Sequence, residues 1–206
     1  MAERVDTTPL TIDFEDQPGV DYMPGTLVTP ASRLADQYLA SHGVSFSSGA
    51  GFAALLNLGA NHAHSGRIGV VGTSSNGLVN YGVELRVSFF DVLTGSAGVT
   101  DFVSWTTDRL GDNRDVTLKA YGVDGQFIAQ QTWADSGWKQ ISLSAQGIHS
   151  VVFSGTGYAA LDDLSFNPIR NPASPVPEPN SGALVLAGMG IVWMDTLRRL
   201  GRERQA

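Results

Sequence analysis

Five carboxylates bracket most of this chain: Asp13, Glu15 and Asp16 near its start, and Asp162 and Asp163 much later. Carboxylates are hard oxygen donors, and Ca²⁺ takes about six to eight oxygens. If the first and last strands lie side by side, Asp13, Glu15, Asp162 and Asp163 could hold a structural Ca²⁺. The plainer expectation is solvated edge acids, with Asp162 or Asp163 accepting from a neighbouring backbone. Asp112, Asn113 and Asp115 are also oxygen-rich but lack the glycine and terminal glutamate of an EF-hand, and read as a turn. His62 and His64 would share one face of an extended chain, as a transition-metal pair would, yet no third ligand stands nearby.

The aromatic residues suggest a different chemistry. Trp105, Trp133, Trp138, Tyr121 and Tyr158 could stack on sugar rings if exposed, and would otherwise pack in a core. Trp133 and Trp138 flank a turn at residues 134 to 137 and are the pair expected to reach a ligand. Catalysis finds less support. There is no cysteine, and the run from Gly72 to Asn76 misses the last glycine of a nucleophile elbow. Glycoside hydrolysis needs two carboxyl groups about 5 to 9.5 Å apart, and between residues 9 and 167 the only glutamates are Glu15 and Glu84. The glycines at 49 and 51 with Ala54 imitate a dinucleotide-binding fingerprint, but alternation rather than a helix follows them. No residue is assigned a catalytic role.

The elements that must position these residues are strands. The clearest covers residues 81 to 89: Tyr81, Val83, Leu85, Val87 and Phe89 share one face, and Glu84, Arg86 and Ser88 the other. Shorter runs of strand character lie at 11–15, 44–46, 52–58, 67–71, 101–105, 115–121, 126–129, 138–143, 148–153 and 158–166. Turn residues such as Asp124-Gly125 separate them. No helix-length stretch between Thr11 and Phe166 has a 3.6-residue period, and no internal repeat is visible. About ten strands without interleaved helices predict an all-β, antiparallel two-sheet β-sandwich of jelly-roll type over residues 9 to 167, after a disordered start at 1 to 8.

Composition agrees. Only 16% of residues are charged and 24 of 206 are glycine, against an average glycine share of about 7%. The net charge of -7 leaves nucleic acid without an electrostatic footprint. Charge is also uneven: four arginines against Asp195 and Glu203 give residues 182 to 206 a charge of +2, which leaves -9 for the rest.

After Asn167 the composition changes. Residues 168 to 181 form a proline-rich linker. Residues 182 to 194 are uncharged and apolar, and as a single C-terminal hydrophobic helix they would span about 20 Å, short of the hydrocarbon core of about 30 Å. Arginines beyond it would stay on the cytoplasmic side, placing the acidic domain outside. The order Val176-Pro177-Glu178-Pro179, apolar segment, then Arg198 and Arg199 resembles the PEP-CTERM sorting signal. The resemblance implies recognition and cleavage by exosortase, transient anchoring in the inner membrane, and a destination at the cell envelope, cell surface or extracellular polysaccharide. Members of that family also carry an N-terminal signal peptide, and residues 1 to 9 contain no apolar run of that kind. Asp195 beside the apolar segment is a second departure. The body resembles sandwich domains that precede such tails, in the opening around Phe14, the strand at 43–46 and the close at 161–166.

These observations together predict an exported, non-catalytic module that binds glycan or matrix. A small jelly-roll polysaccharide lyase or hydrolase is the alternative, and a purely structural matrix protein the third reading.

Overall fold

The computed structural model describes residues 8–60, 62–109, 115–133, 139–155 and 159–172. The tail motif, the C-terminal apolar segment, Trp138, Tyr158 and the run from Asp112 to Arg114 lie outside the described residues.

Among the described residues the chain forms thirteen strands and almost no helix. They are β1 (Leu10–Ile12), β2 (Val20–Asp21), β3 (Arg33–Leu34), β4 (Val44–Ser48), β5 (Ala53–Asn57), β6 (Ile68–Gly72), β7 (Leu85–Phe89), β8 (Thr100–Arg109), β9 (Val116–Tyr121), β10 (Phe127–Trp133), β11 (Lys139–Ile148), β12 (Ser150–Gly155) and β13 (Ala159–Phe166), with a 3-10 turn at Pro30–Ser32 and one α-helical turn, α1 (Leu39–His42). They build an eight-stranded sheet in the order β11-β8-β13-β6-β5-β2, with β1 on β13 and β3 on β5, and a five-stranded sheet in the order β10-β9-β12-β7-β4. All pairings are antiparallel except β2 with β5.

The sheets face each other because alternation gives each an apolar inner side. Leu85, Val87 and Phe89 of β7 and Val116, Leu118 and Ala120 of β9 join Leu55, Val70, Val103, Ile141 and Leu161 of the larger sheet in one buried cluster. Trp105 is fully buried and stacks on Phe14 at 6.1 Å, with Phe46 edge-on to both. Each large aromatic removes roughly 150–250 Å² from water, so this group anchors the core. It also settles Trp105: it packs and cannot stack on a sugar.

A second buried cluster, including Leu56, Leu58, Val71, Val79 and Tyr81, covers the outer side of β5 and β6. Those strands are therefore buried on both faces and read as continuous apolar runs rather than alternation.

Three expectations change. The strand foreseen from residue 81 begins only at Leu85, because Asn80 accepts from Gly82 N at 3.0 Å and turns the chain. Tyr81 packs on the outer cluster instead and donates to the Tyr22 carbonyl at 2.5 Å. The opening strand ends at Ile12, since Phe14 adopts φ 63° and carries Asp13 and Glu15 into a turn. The sandwich also extends past Asn167: Arg170 bridges to Val99, Ile169 packs on the core, and Arg170 pairs with Asp101 at 3.1 Å.

Candidate functional site

The first and last strands do lie together, with Leu10 opposite Phe166 and Ile12 opposite Leu164. Successive residues on a regular strand point to opposite faces, so Asp162 and Asp163 would normally diverge. Here the β13–β8 register slips between Asp162 and Ser165, and Asp163 sits at φ 47°. The irregularity turns both carboxylates onto the loop before β6. Asp162 Oδ2 accepts from His64 N at 2.9 Å and Ser65 N at 3.0 Å, and Oδ1 accepts from Asp163 N at 2.8 Å. Asp163 accepts from Ser65 Oγ at 2.7 Å and meets His64 Nδ1 at 2.5 Å.

Glu15 grips the same loop: its Oε1 accepts from Arg67 N at 2.7 Å and Ile68 N at 2.6 Å. Three of the four acids expected to gather therefore converge on residues 64 to 68. Asp13 does not: it is exposed and accepts from Glu15 N at 3.3 Å. Asp16 accepts from Tyr38 Oη. No group of three His, Asp or Glu side chains is arranged to hold a metal ion among the described residues. The His62 ring lies tilted 5.7 Å from that of Tyr22, whereas His64 pairs with Asp163. Burial pushes the Asp162 carboxyl up to about 6, with Ser65 N–H opposing and the neighbouring Asp163 charge adding to the rise. The arrangement clamps a loop between the two chain ends of the sandwich.

Trp133, expected near a turn and exposed, is the last residue of β10. Its register opposite Val116 aims it inward, and it is partly buried against the core. Pairing with β9, which extends β10 well beyond residue 129, decides that orientation.

A different aromatic pair is open to solvent. The outer face of the five-stranded sheet can be read row by row from its register. Phe127, Tyr121, Ser150, Ser88 and Ser45 form one row across the strands; Gln130, Lys119, Val152, Arg86 and Ser47 form the next. Phe127 is 56% exposed and meets Tyr121 edge-on at 6.1 Å. The Arg86 guanidinium lies 5.3 Å over the Tyr121 ring, and its Nη1 donates to Ser150 Oγ at 2.9 Å. Sequence reasoning placed Arg86 on an outward face but could not place Tyr121 and Phe127 beside it. A shallow depression on the larger sheet, lined by Asp101, Phe102, Gln146 and Asn167, has its carboxylate already bound by Asn167 and Arg170.

No family model and no curated protein matches this chain. Solved structures resemble it. The K2 cleaved adhesin domain of Lys-gingipain is 15% identical, with 77% of this chain aligned to 99% of that one at a TM-score of 0.46. A CBM61 module in complex with β-1,4-galactotriose is 12% identical over 68% of this chain and 99% of that one, at a TM-score of 0.34. A family 6 carbohydrate-binding module is 12% identical over 62% of this chain and 95% of that one, also at 0.34.

Proposed function

We propose that this chain is a non-catalytic, jelly-roll-like module that binds glycan or matrix, on a protein carried to the cell surface by its C-terminal tail. The observation that carries the reading is the Phe127–Tyr121 pair on the outer face of the five-stranded sheet, with Phe127 exposed. Flat aromatic surface beside hydroxyl and amide side chains suits sugar rings, which offer apolar faces and polar rims. The jelly-roll description is supported by the way the chain crosses between sheets, from β4 to β5, β6 to β7, β7 to β8 and onward.

A lyase or hydrolase is the alternative. Against it, Glu15, Asp162 and Asp163 spend their oxygens on loop N–H and side-chain donors rather than facing one another across a groove. A second reading of that corner, the Ca²⁺ expected from Asp13, Glu15, Asp162 and Asp163, requires these acids to exchange their present donors for the ion.

The surface address rests on the order of Val176, Pro177, Glu178, Pro179, the apolar segment, Arg198 and Arg199. In a host with exosortase, intact-mass measurement of surface material is expected to find the segment after about Pro179 removed. Recovery of exported protein retaining Arg198 and Arg199 overturns this part. For binding, the test is a glycan array with the full chain and with Phe127→Ala. Binding lost in the variant supports the reading; binding indifferent to Phe127 overturns the aromatic site, and no bound glycan leaves the structural-matrix alternative.

A further inference from the structure

The acids of this chain are unevenly divided between its sheets. None of β4, β7, β9, β10 and β12 contains an aspartate or glutamate, although the chain as a whole carries -7. Glu84 and Asp115, both exposed and in phase with the outward positions, border this face just before β7 and β9, and Asp124 lies in the connection between β9 and β10. The outward positions of these five strands hold instead two cations, Arg86 and Lys119, in one row. Val152 stands between them and is 4% exposed despite facing out. Two strand spacings separate the two cations at the backbone, about 10 Å, which is comparable to a disaccharide.

From this we propose that the outer face of the five-stranded sheet binds an anionic polysaccharide bearing carboxylates on its sugars, a polyuronate. The inference rests on the glycan-binding reading and adds the charge of the ligand. Arg86 is the principal anchor. Its contacts with Ser150 Oγ and the Tyr121 ring hold the guanidinium in place, and its remaining N–H groups form a planar fork matched to a carboxylate. Lys119 supplies a point charge for a second carboxylate further along the chain. Phe127 and Tyr121 take the apolar face of a neighbouring sugar ring. Two cations and no acid within these five strands, on a chain of -7, favour approach of an anionic ligand by this face. The pattern is too sparse for nucleic acid, whose phosphates follow one another at every nucleotide.

The test is calorimetric titration of the full chain with an oligogalacturonate, with the same oligosaccharide fully methyl-esterified, and with a single-stranded oligonucleotide. The oligogalacturonate is expected to bind, to weaken as salt rises, and to weaken roughly tenfold in Arg86→Gln, the size of one lost charge-assisted bond. Lys119→Gln should weaken it less, and the esterified form should bind at least tenfold more weakly. Circular dichroism and Tm identical to wild type would show that the variants are folded. Equal binding of the two oligosaccharides, insensitive to Arg86→Gln but lost in Phe127→Ala, overturns this proposal and leaves glycan binding standing. Absence of binding to either oligosaccharide and to a glycan array overturns both. Tighter binding of the oligonucleotide overturns the choice of ligand.

Discussion

Glu15 and Gly66 fit so closely that a Cβ on Gly66 would lie 2.1 Å from the Glu15 carboxyl carbon. Gly66 has φ 48°, a conformation that costs other residues roughly 1–2 kcal/mol. Gly66→Ala is therefore strained in its backbone and also drives Glu15 off the Arg67 and Ile68 N–H groups. A loss of about 2–3 kcal/mol is expected from urea denaturation. In a Glu15→Ala background the same substitution should cost distinctly less, because the clash is gone. Equal costs in both backgrounds would mean that the two residues are not coupled.

Asp162 makes stability depend on pH in a defined window. Its folded-state pKa, about 6, lies above the ordinary 3.8. The native state therefore holds the proton more tightly, and the stability contributed by this group falls as pH rises from about 4 to about 6. The full difference is of the order of 2–3 kcal/mol. Carboxyl ¹³C titration should give an Asp162 midpoint near 6, and a midpoint near 4 would refute the burial argument. Asp91 acts in the opposite sense at lower pH: hydrogen bonds from Thr94 hold its carboxyl below the ordinary value, so its contribution is lost on acidification.

The two described tryptophans should separate from the surface aromatic in stability measurements. Trp105→Ala empties the centre of the core and should cost about 3–5 kcal/mol. Trp105→Phe should cost less, since it also removes an indole N–H that has no hydrogen-bond partner. Trp133→Ala should lower Tm as well, whereas Phe127→Ala should leave Tm unchanged. A destabilised Phe127→Ala would place that ring in the core rather than on the surface.

The acid corner can be tested for a cation directly. Loop donors already engage Glu15, Asp162 and Asp163, so the clamp accounts for these acids and Tm is expected to be equal in Ca²⁺ and in chelator. A bound ion would instead add RT ln(1 + [L]/Kd), about 2.7 kcal/mol at a hundredfold excess over Kd. A rise in Ca²⁺ that Asp163→Ala removes would establish the second reading.

What could be read along the chain was local. Alternation at Leu85, Val87 and Phe89, and at Val116, Leu118 and Ala120, marks strands because a half-buried strand must segregate its two faces every second residue. The absence of any helical period followed from the same reasoning; pairing of the first and last strands brings Glu15, Asp162 and Asp163 to one loop, while the turn at Phe14 keeps Asp13 out of it. Position across strands was not legible. Arg86, Lys119, Tyr121 and Phe127 come from three strands, and only register and sheet order, set by packing of the opposite faces, put them side by side. The same register turned Trp133 inward. The left-handed backbone at Phe14 and Asp163 was equally hidden, because neither position carries the glycine that usually marks it. Core burial of the Phe14 ring and the loop contacts of Asp163 hold those conformations, and both exist only in the folded chain.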